Sequence, residues 1–160
     1  MRVAVAVITD DKHQVLIARR PTHTTHAGMW EFPGGKLEIN ESPTSALIRE
    51  VKEEVGLDVK RYEYLGEVHH AYTHQQVSLQ VYHVYQFEGE ARPCERQLDL
   101  RWIDFASIGD FTFPAANEKV MELVTRRLRI RTATIRERKF CSAQKIRTVT
   151  VRERTFCGGT

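Results

Sequence analysis

Three glutamates, Glu50, Glu53 and Glu54, stand within one helical turn of each other just before Gly56. Arg49 is beside them, and Glu41 and the Gly34-Gly35 pair precede them at fixed offsets. Written out from Gly35 to Leu57, the string is G-x5-E-x7-R-E-V-x-E-E-x-G-L. Carboxylates in this number are hard oxygen ligands. They suit Mg2+ or Mn2+, ions that keep water in their shell and also bind substrate phosphates. Hydrolysis of a phosphoanhydride needs charge neutralised on the phosphates and a water held in line, and such ions serve both ends. Neither His nor Cys takes part in the pattern, so zinc is not implied. The rival reading is a solvated acidic helix face with Arg49 and Lys52 as charge partners. The joint spacing of Glu41, Arg49 and the glycines favours a site over that face.

The elements that must position these groups can be read nearby. Ser42 is a good N-cap and Pro43 suits a first helical position, while Gly56 offers a cheap left-handed stop. Between them Leu47, Ile48, Val51 and Val55 form an apolar stripe at helical spacing, which predicts a helix over about 43–55. Glu50, Glu53 and Glu54, related by i+3 and i+4, share the neighbouring stripe. Gly34-Gly35 reads as a turn. Strands are expected at about 2–9, 14–19, 62–70, 77–87 and 99–103. Asp10-Asp11-Lys12 turns between the first two. A second helix over about 117–129 would bury Val120, Met121, Val124 and Leu128, and this order suits a mixed sheet between helices.

The string from Gly35 to Leu57 resembles the Nudix box at every defining position. That resemblance implies an α/β fold, a Nudix-type α/β/α sandwich with a mixed β-sheet, and hydrolysis of a nucleoside diphosphate linked to another moiety. It implies that the Gly35 carbonyl and the carboxylates of Glu50, Glu53 and Glu54 bind metal. Arg49 would orient a glutamate by a charge-assisted hydrogen bond, and Glu41 would brace the loop. Either Glu50 or Glu53 would take the proton from the attacking water. Lys36, next to the glycines, would lie near the phosphates, although its position fits a surface lysine as well.

The resemblance extends to the MutT branch of that family, whose members hydrolyse oxidised purine nucleoside triphosphates such as 8-oxo-dGTP. Three stretches carry it. Arg19-Arg20-Pro21 precedes Met29-Trp30-Glu31-Phe32-Pro33-Gly34-Gly35-Lys36, Glu88-Gly89-Glu90 leads to Glu95, and Phe113-Pro114-Ala115-Ala116-Asn117 lies downstream. The resemblance as a whole covers roughly residues 2–128. The resemblance implies that Glu95 assists the metal site, Asn117 reads the base, Arg20 contacts nucleotide and Phe32 lines the base pocket. Ala115 departs from the proline often found there. Each assignment has a plainer counterpart: a loop carboxylate, a helix cap, a surface arginine and a core aromatic.

Base reading by Asn117 has a physical basis. Guanine offers O6 and N7 as two adjacent acceptors. The 8-oxo base carries a hydrogen on N7, giving an acceptor beside a donor, which one amide matches with its carbonyl and NH2. Against ordinary guanine the amide oxygen would face a lone pair, a costly mismatch in a buried site. The resemblance thus implies attack on the β phosphorus at the inner bridge, yielding 8-oxo-dGMP and pyrophosphate. Two rivals stand beside it. One is the same chemistry on CTP or another nucleoside triphosphate. The other is a non-catalytic nucleotide sensor that touches nucleic acid through a basic tail.

The chain has 160 residues, 41% of them hydrophobic, enough for one compact catalytic domain, expected over 1–129. No apolar run is long enough to span a bilayer, and the apolar start is read as a buried strand rather than a signal peptide. Three scattered cysteines, Cys94, Cys141 and Cys157, fit a reducing cytoplasm, and the protein is expected to be a monomer. His69, His70 and His74 match no zinc spacing and read as solvated or nucleotide-adjacent. Residues 130–160 change character. The stretch 130–141 recurs at 146–157, and residues 126–160 carry 11 Lys and Arg against 2 Asp and Glu. Such an extension pairs as a hairpin that attracts nucleic acid or an acidic partner, or else is a dispensable arm; a Cys141–Cys157 pair also stays open.

Overall fold

A computed structural model describes residues 1–127, and the expected basic extension and Leu128 lie outside the described residues. The chain divides into two units, Met1–Val124 and Thr125–Thr160, and the first carries both sheets. Its elements are β1 Arg2–Ile8, β2 Gln14–Arg19, β3 Trp30–Glu31, β4 Gly34–Lys36, α1 Pro43–Val55, β5 Asp58–Tyr72, β6 Gln75–Glu88 and β7 Asp99–Asp104. A 3-10 turn, Phe105–Asp110, follows. A second helix, α2, occupies residues 115–127.

Four strands form one sheet in the order β4-β1-β6-β5, and three form another in the order β3-β2-β7. β1 runs parallel to β6, while β4 pairs with β1, and β5 with β6, antiparallel; the sheet is mixed, as expected. A single bridge, Thr9 to Val15, joins the two sheets where Asp10 turns the chain. There the Asp10 carboxylate accepts from the backbone N–H of Lys12 and Gln14, an Asx-type turn.

Alternation along β1 sorts the two faces. Ala4, Ala6 and Ile8 join Leu47, Val51 and Val55 of α1 in one buried cluster. Val5 and Val7 are buried on the opposite face, and Val5 is paired with Val81 of β6. α2 lies on that side. Leu123 packs over Gly66 of β5, which is itself paired with Val81, and Val120 and Val124 are fully buried. One helix on each face makes the α/β/α sandwich. Full burial of Leu47, Val51 and Val55 stabilises α1 by about 1.5–3 kcal/mol per side chain.

Four expectations need correction. Gly34-Gly35 is not a turn but part of strand β4, paired with Val5 and Ala4 of β1. A side chain at Gly34, with φ 154°, would collide with the Ala4 carbonyl, so glycine is required by close strand approach. Ile48 is exposed, and Ala46 takes its place in the core, because the helix settles with its centre toward Leu47 and Val51. Met121 is only half-buried. Finally, β5 runs from Asp58, well before residue 62, and crosses register shifts near Arg61 and Gly66 that interrupt alternation.

Candidate active site

Helix α1 starts and stops where its sequence dictates. The Ser42 hydroxyl accepts from Ser45 N–H, Pro43 opens the helix, and Gly56 ends it at φ 75° with its N–H on the Lys52 carbonyl. At about 100° per residue the glutamates fan across the edge of the buried face. Glu54 falls nearest the Leu47–Val51 stripe, Glu50 next, and Glu53 toward solvent. Side-chain exposure follows this order, 14% for Glu50 against 46% for Glu53.

Arg49 ties these groups together. Its Nε and Nη2 donate to the two oxygens of Glu41 at 2.8 and 2.9 Å. Nη1 donates to Glu50 at 2.9 Å and Glu53 at 3.1 Å, and Nη2 also reaches the Lys36 carbonyl at 3.1 Å. Glu41 also accepts from the Glu38 N–H at 2.8 Å, so it braces the loop between β4 and α1. These bonds hold the Glu41 carboxyl down to about 2, the Arg49 contacts contributing most, and they push the Arg49 guanidinium well above its ordinary value. Lys52, the other cation of the solvated-face reading, pairs instead with Asp58 at 3.0 Å.

Glu54 has a different setting. It accepts the Gly34 N–H at 2.9 Å. Burial raises its carboxyl to about 8 against the lowering effect of the Gly34 bond, with smaller upward pushes from Glu31, Glu50 and Glu95. Burial also raises Glu50, against the lowering effect of Arg49. Glu95 is exposed on the loop after β6, and its charge adds a small upward push to both Glu50 and Glu54. The Cys94 N–H, on the Glu54 carbonyl at 3.0 Å, tethers that loop to the end of α1. Gly35 faces the cluster directly: a Cβ there would fall on the Glu50 carboxylate.

Among the described residues, no three His, Cys, Asp or Glu side chains come together as a group that could hold a metal ion by themselves, the expected glutamates and histidines included. Arg49 and the Gly34 N–H share the carboxylate oxygens between them. Glu54 is raised to about 8 chiefly by burial, with smaller pushes from neighbouring acids, so a positive charge beside it would be favoured. A hard divalent ion that completes its shell with water and phosphate fits such a donor set without needing a cage.

Next to the cluster lies a cavity of about 670 Å³. Gly35 and Lys36 line it together with Arg20, Phe32 and Asn117, so the residues expected to touch nucleotide share one space with the edge of the carboxylate site. Phe32 is buried and packs on Phe113 with ring centroids 5.6 Å apart; it is both core aromatic and pocket wall. Asn117 is the third residue of α2, not its cap. Its backbone N–H bonds to the Pro114 carbonyl at 2.9 Å, and among the described residues nothing bonds its side-chain amide. Arg20 is held by the Thr25 carbonyl at 2.9 Å and by an ion pair with Glu31. Sequence reasoning missed Glu31, His26 and Tyr72 as cavity residues; the His26 and Tyr72 ring centroids lie 5.6 Å apart in its lining. His74 lines the cavity, and the His70 ring packs on Tyr72 at 4.5 Å.

Comparison with known proteins places this geometry. The family model described as NUDIX domain matches residues 4–123. The chain is 41% identical over 90 residues to an 8-oxo-dGTP diphosphatase of Proteus vulgaris, covering 56% of this chain and 80% of that one. It is 37% identical over 93 residues to a CTP pyrophosphohydrolase of Escherichia coli, covering 58% and 69%. Among solved structures, a MutT from a study of Aliivibrio salmonicida and Vibrio cholerae aligns with TM-score 0.68 and 30% identity, covering 79% of this chain and 99% of that one. The matched span takes in both sheets, the carboxylate helix and the start of α2, and the chain is a Nudix hydrolase, a member of the NUDIX domain family.

Proposed function

We propose that the chain is a Mg2+-dependent 8-oxo-dGTP diphosphatase, splitting 8-oxo-dGTP into 8-oxo-dGMP and pyrophosphate and so clearing an oxidised precursor from the nucleotide pool. The observation that carries this reading is the single cavity joining Asn117 and Phe32 to Gly35 and Lys36 beside the glutamates. The Gly35 carbonyl with Glu50, Glu53, Glu54 and Glu95 would hold the divalent ions, Mg2+ or Mn2+. When bound, these supply phosphate charge neutralisation and a more acidic water.

The chain's own residues do the rest. Arg49 fixes Glu50 and Glu53 by one guanidinium nitrogen each can share, so both carboxylates keep an oxygen for other work. One of them takes the proton as the water oxygen bonds to the β phosphorus and the bond from that phosphorus to the α–β bridging oxygen breaks. Lys36 and Arg20 meet the phosphate charge. Asn117 offers its amide oxygen and NH2 to the N7–H and O6 edge of the oxidised base, an edge ordinary guanine does not match.

The E. coli CTP pyrophosphohydrolase favours one alternative, the same chemistry on CTP. Cytosine also shows an acceptor beside a donor, so the amide alone does not choose. Asn117→Ala tests the assignment. The variant should lose at least about tenfold of the preference for 8-oxo-dGTP over dGTP while slow hydrolysis persists. An unchanged preference would remove Asn117 from base reading.

A further inference from the structure

We propose that Glu31 is a positioning residue of the nucleotide site, its carboxylate fixing the Arg20 guanidinium at the phosphate end of the cavity. This rests on the nucleotide reading of the cavity given above. Strand pairing sets up the contact. Glu31 of β3 is paired with Ala18 of β2. Residues two apart on a strand share a face, so Arg20 projects on the Ala18 side and becomes the diagonal neighbour of Glu31. Ala18 is buried and small, leaving room for the two long side chains to meet over it.

Arg20 is held from three directions. Its Nη1 donates to Glu31 Oε2, its Nε donates to the Thr25 carbonyl at 2.9 Å, and its backbone N–H and carbonyl bond to Met29 at 2.8 Å and Gly28 at 3.2 Å. Both side chains are largely withdrawn from water, 25% and 20% exposed, and both line the cavity with Gly34, Gly35 and Lys36. Glu31 is also close enough to Glu54 for its charge to be felt there. A carboxylate at this place is costly on two counts. It is desolvated, and it repels the phosphates and the glutamate cluster. The return is geometric: with Nε and Nη1 both committed, the guanidinium plane cannot swing, and its remaining donors keep one direction.

The two possible effects of Glu31 have opposite signs, which makes the test sharp. A carboxylate that only adds negative charge weakens nucleotide binding, and its removal would lower KM. One that positions Arg20 strengthens binding, and its removal raises KM. Steady-state kinetics on 8-oxo-dGTP would compare the unaltered enzyme with Glu31→Gln, Glu31→Ala, Arg20→Ala and the double alanine variant. We expect Glu31→Ala to raise KM about tenfold, the scale of one charge-assisted hydrogen bond, with kcat changed far less. Glu31→Gln should recover part of the loss, because its amide oxygen still accepts from Arg20. In the Arg20→Ala background, Glu31→Ala should add nothing further. A lowered or unchanged KM, or losses that multiply independently, would overturn the assignment. If the unaltered enzyme prefers CTP, the 8-oxo-dGTP reading falls, while the same cycle run on CTP still decides whether Glu31 acts through Arg20.

Discussion

Replacing Arg49 by lysine keeps the positive charge of the site and removes its geometry. Arg49 makes five N–H···O contacts of 2.8–3.1 Å, two to Glu41 and one each to Glu50, Glu53 and the Lys36 carbonyl. A lysine ammonium is a single point with three donors and cannot span Glu41 and Glu50 together. At least two charge-assisted bonds are lost from a side chain that is 25% exposed. After discounting for solvent the stability cost is about 1–2 kcal/mol, a fall in Tm of roughly 3–6 °C. The kinetic cost is larger, because Glu50 and Glu53 lose the group that aims them: kcat should drop about 10–100-fold, the range for a residue that orients metal-binding side chains. Thermal melts and pyrophosphate release at saturating nucleotide and Mg2+ give both numbers on one preparation. A kcat indistinguishable from that of the unaltered enzyme, with the same small loss of Tm, would show that Arg49 braces the loop and does not orient the carboxylates.

Other predictions follow from the same geometry. Gly35→Ala places a methyl on the Glu50 carboxylate, so kcat should fall about a hundredfold through displacement of that side chain, with the strand pairing of β4 intact by circular dichroism. In chelator-treated protein, Glu54 makes stability depend on pH. Its folded carboxyl is raised to about 8, so the folded state holds a proton that the unfolded chain has released above the ordinary 4.5. This contribution is fully present below about 4.5 and lost as pH rises through about 8, and Tm should decline across that window. Glu50 and Glu31, also raised, act in the same direction. Added Mg2+ should raise Tm more at the alkaline end than at the acidic end, since it takes the proton's place; a Tm that climbs with pH in chelator would contradict this.

The parts of the molecule legible in the sequence are those set by neighbours along the chain. α1 runs from Pro43 to Val55 with Ser42 and Gly56 at its ends, as the capping residues dictate. The meeting of Glu50, Glu53 and Arg49 follows from helical spacing alone. What was hidden depends on partners distant in sequence. β3 and β4, two and three residues long, are too short for a periodic signal and exist because β2 and β1 pair with them. Glu31 looks like one more acid before a glycine pair until the β2–β3 register brings it to Arg20. Ile48 fits the apolar stripe by spacing, but the rotation of α1 on the sheet, which no local rule fixes, leaves it exposed. Tyr72 ends β5 and His26 lies in the loop after β2, and only the fold makes them neighbours.

The proposed enzyme is a nucleotide pyrophosphohydrolase whose base pocket prefers the oxidised purine. Pyrophosphate release from 8-oxo-dGTP, dGTP and CTP, side by side on the full chain with Mg2+, tests this. Turnover of 8-oxo-dGTP well above both others at low substrate is the predicted result. Preferential release from CTP would contradict it, leaving the Nudix chemistry of the glutamates in place and removing oxidised-base recognition from the cavity that holds Asn117.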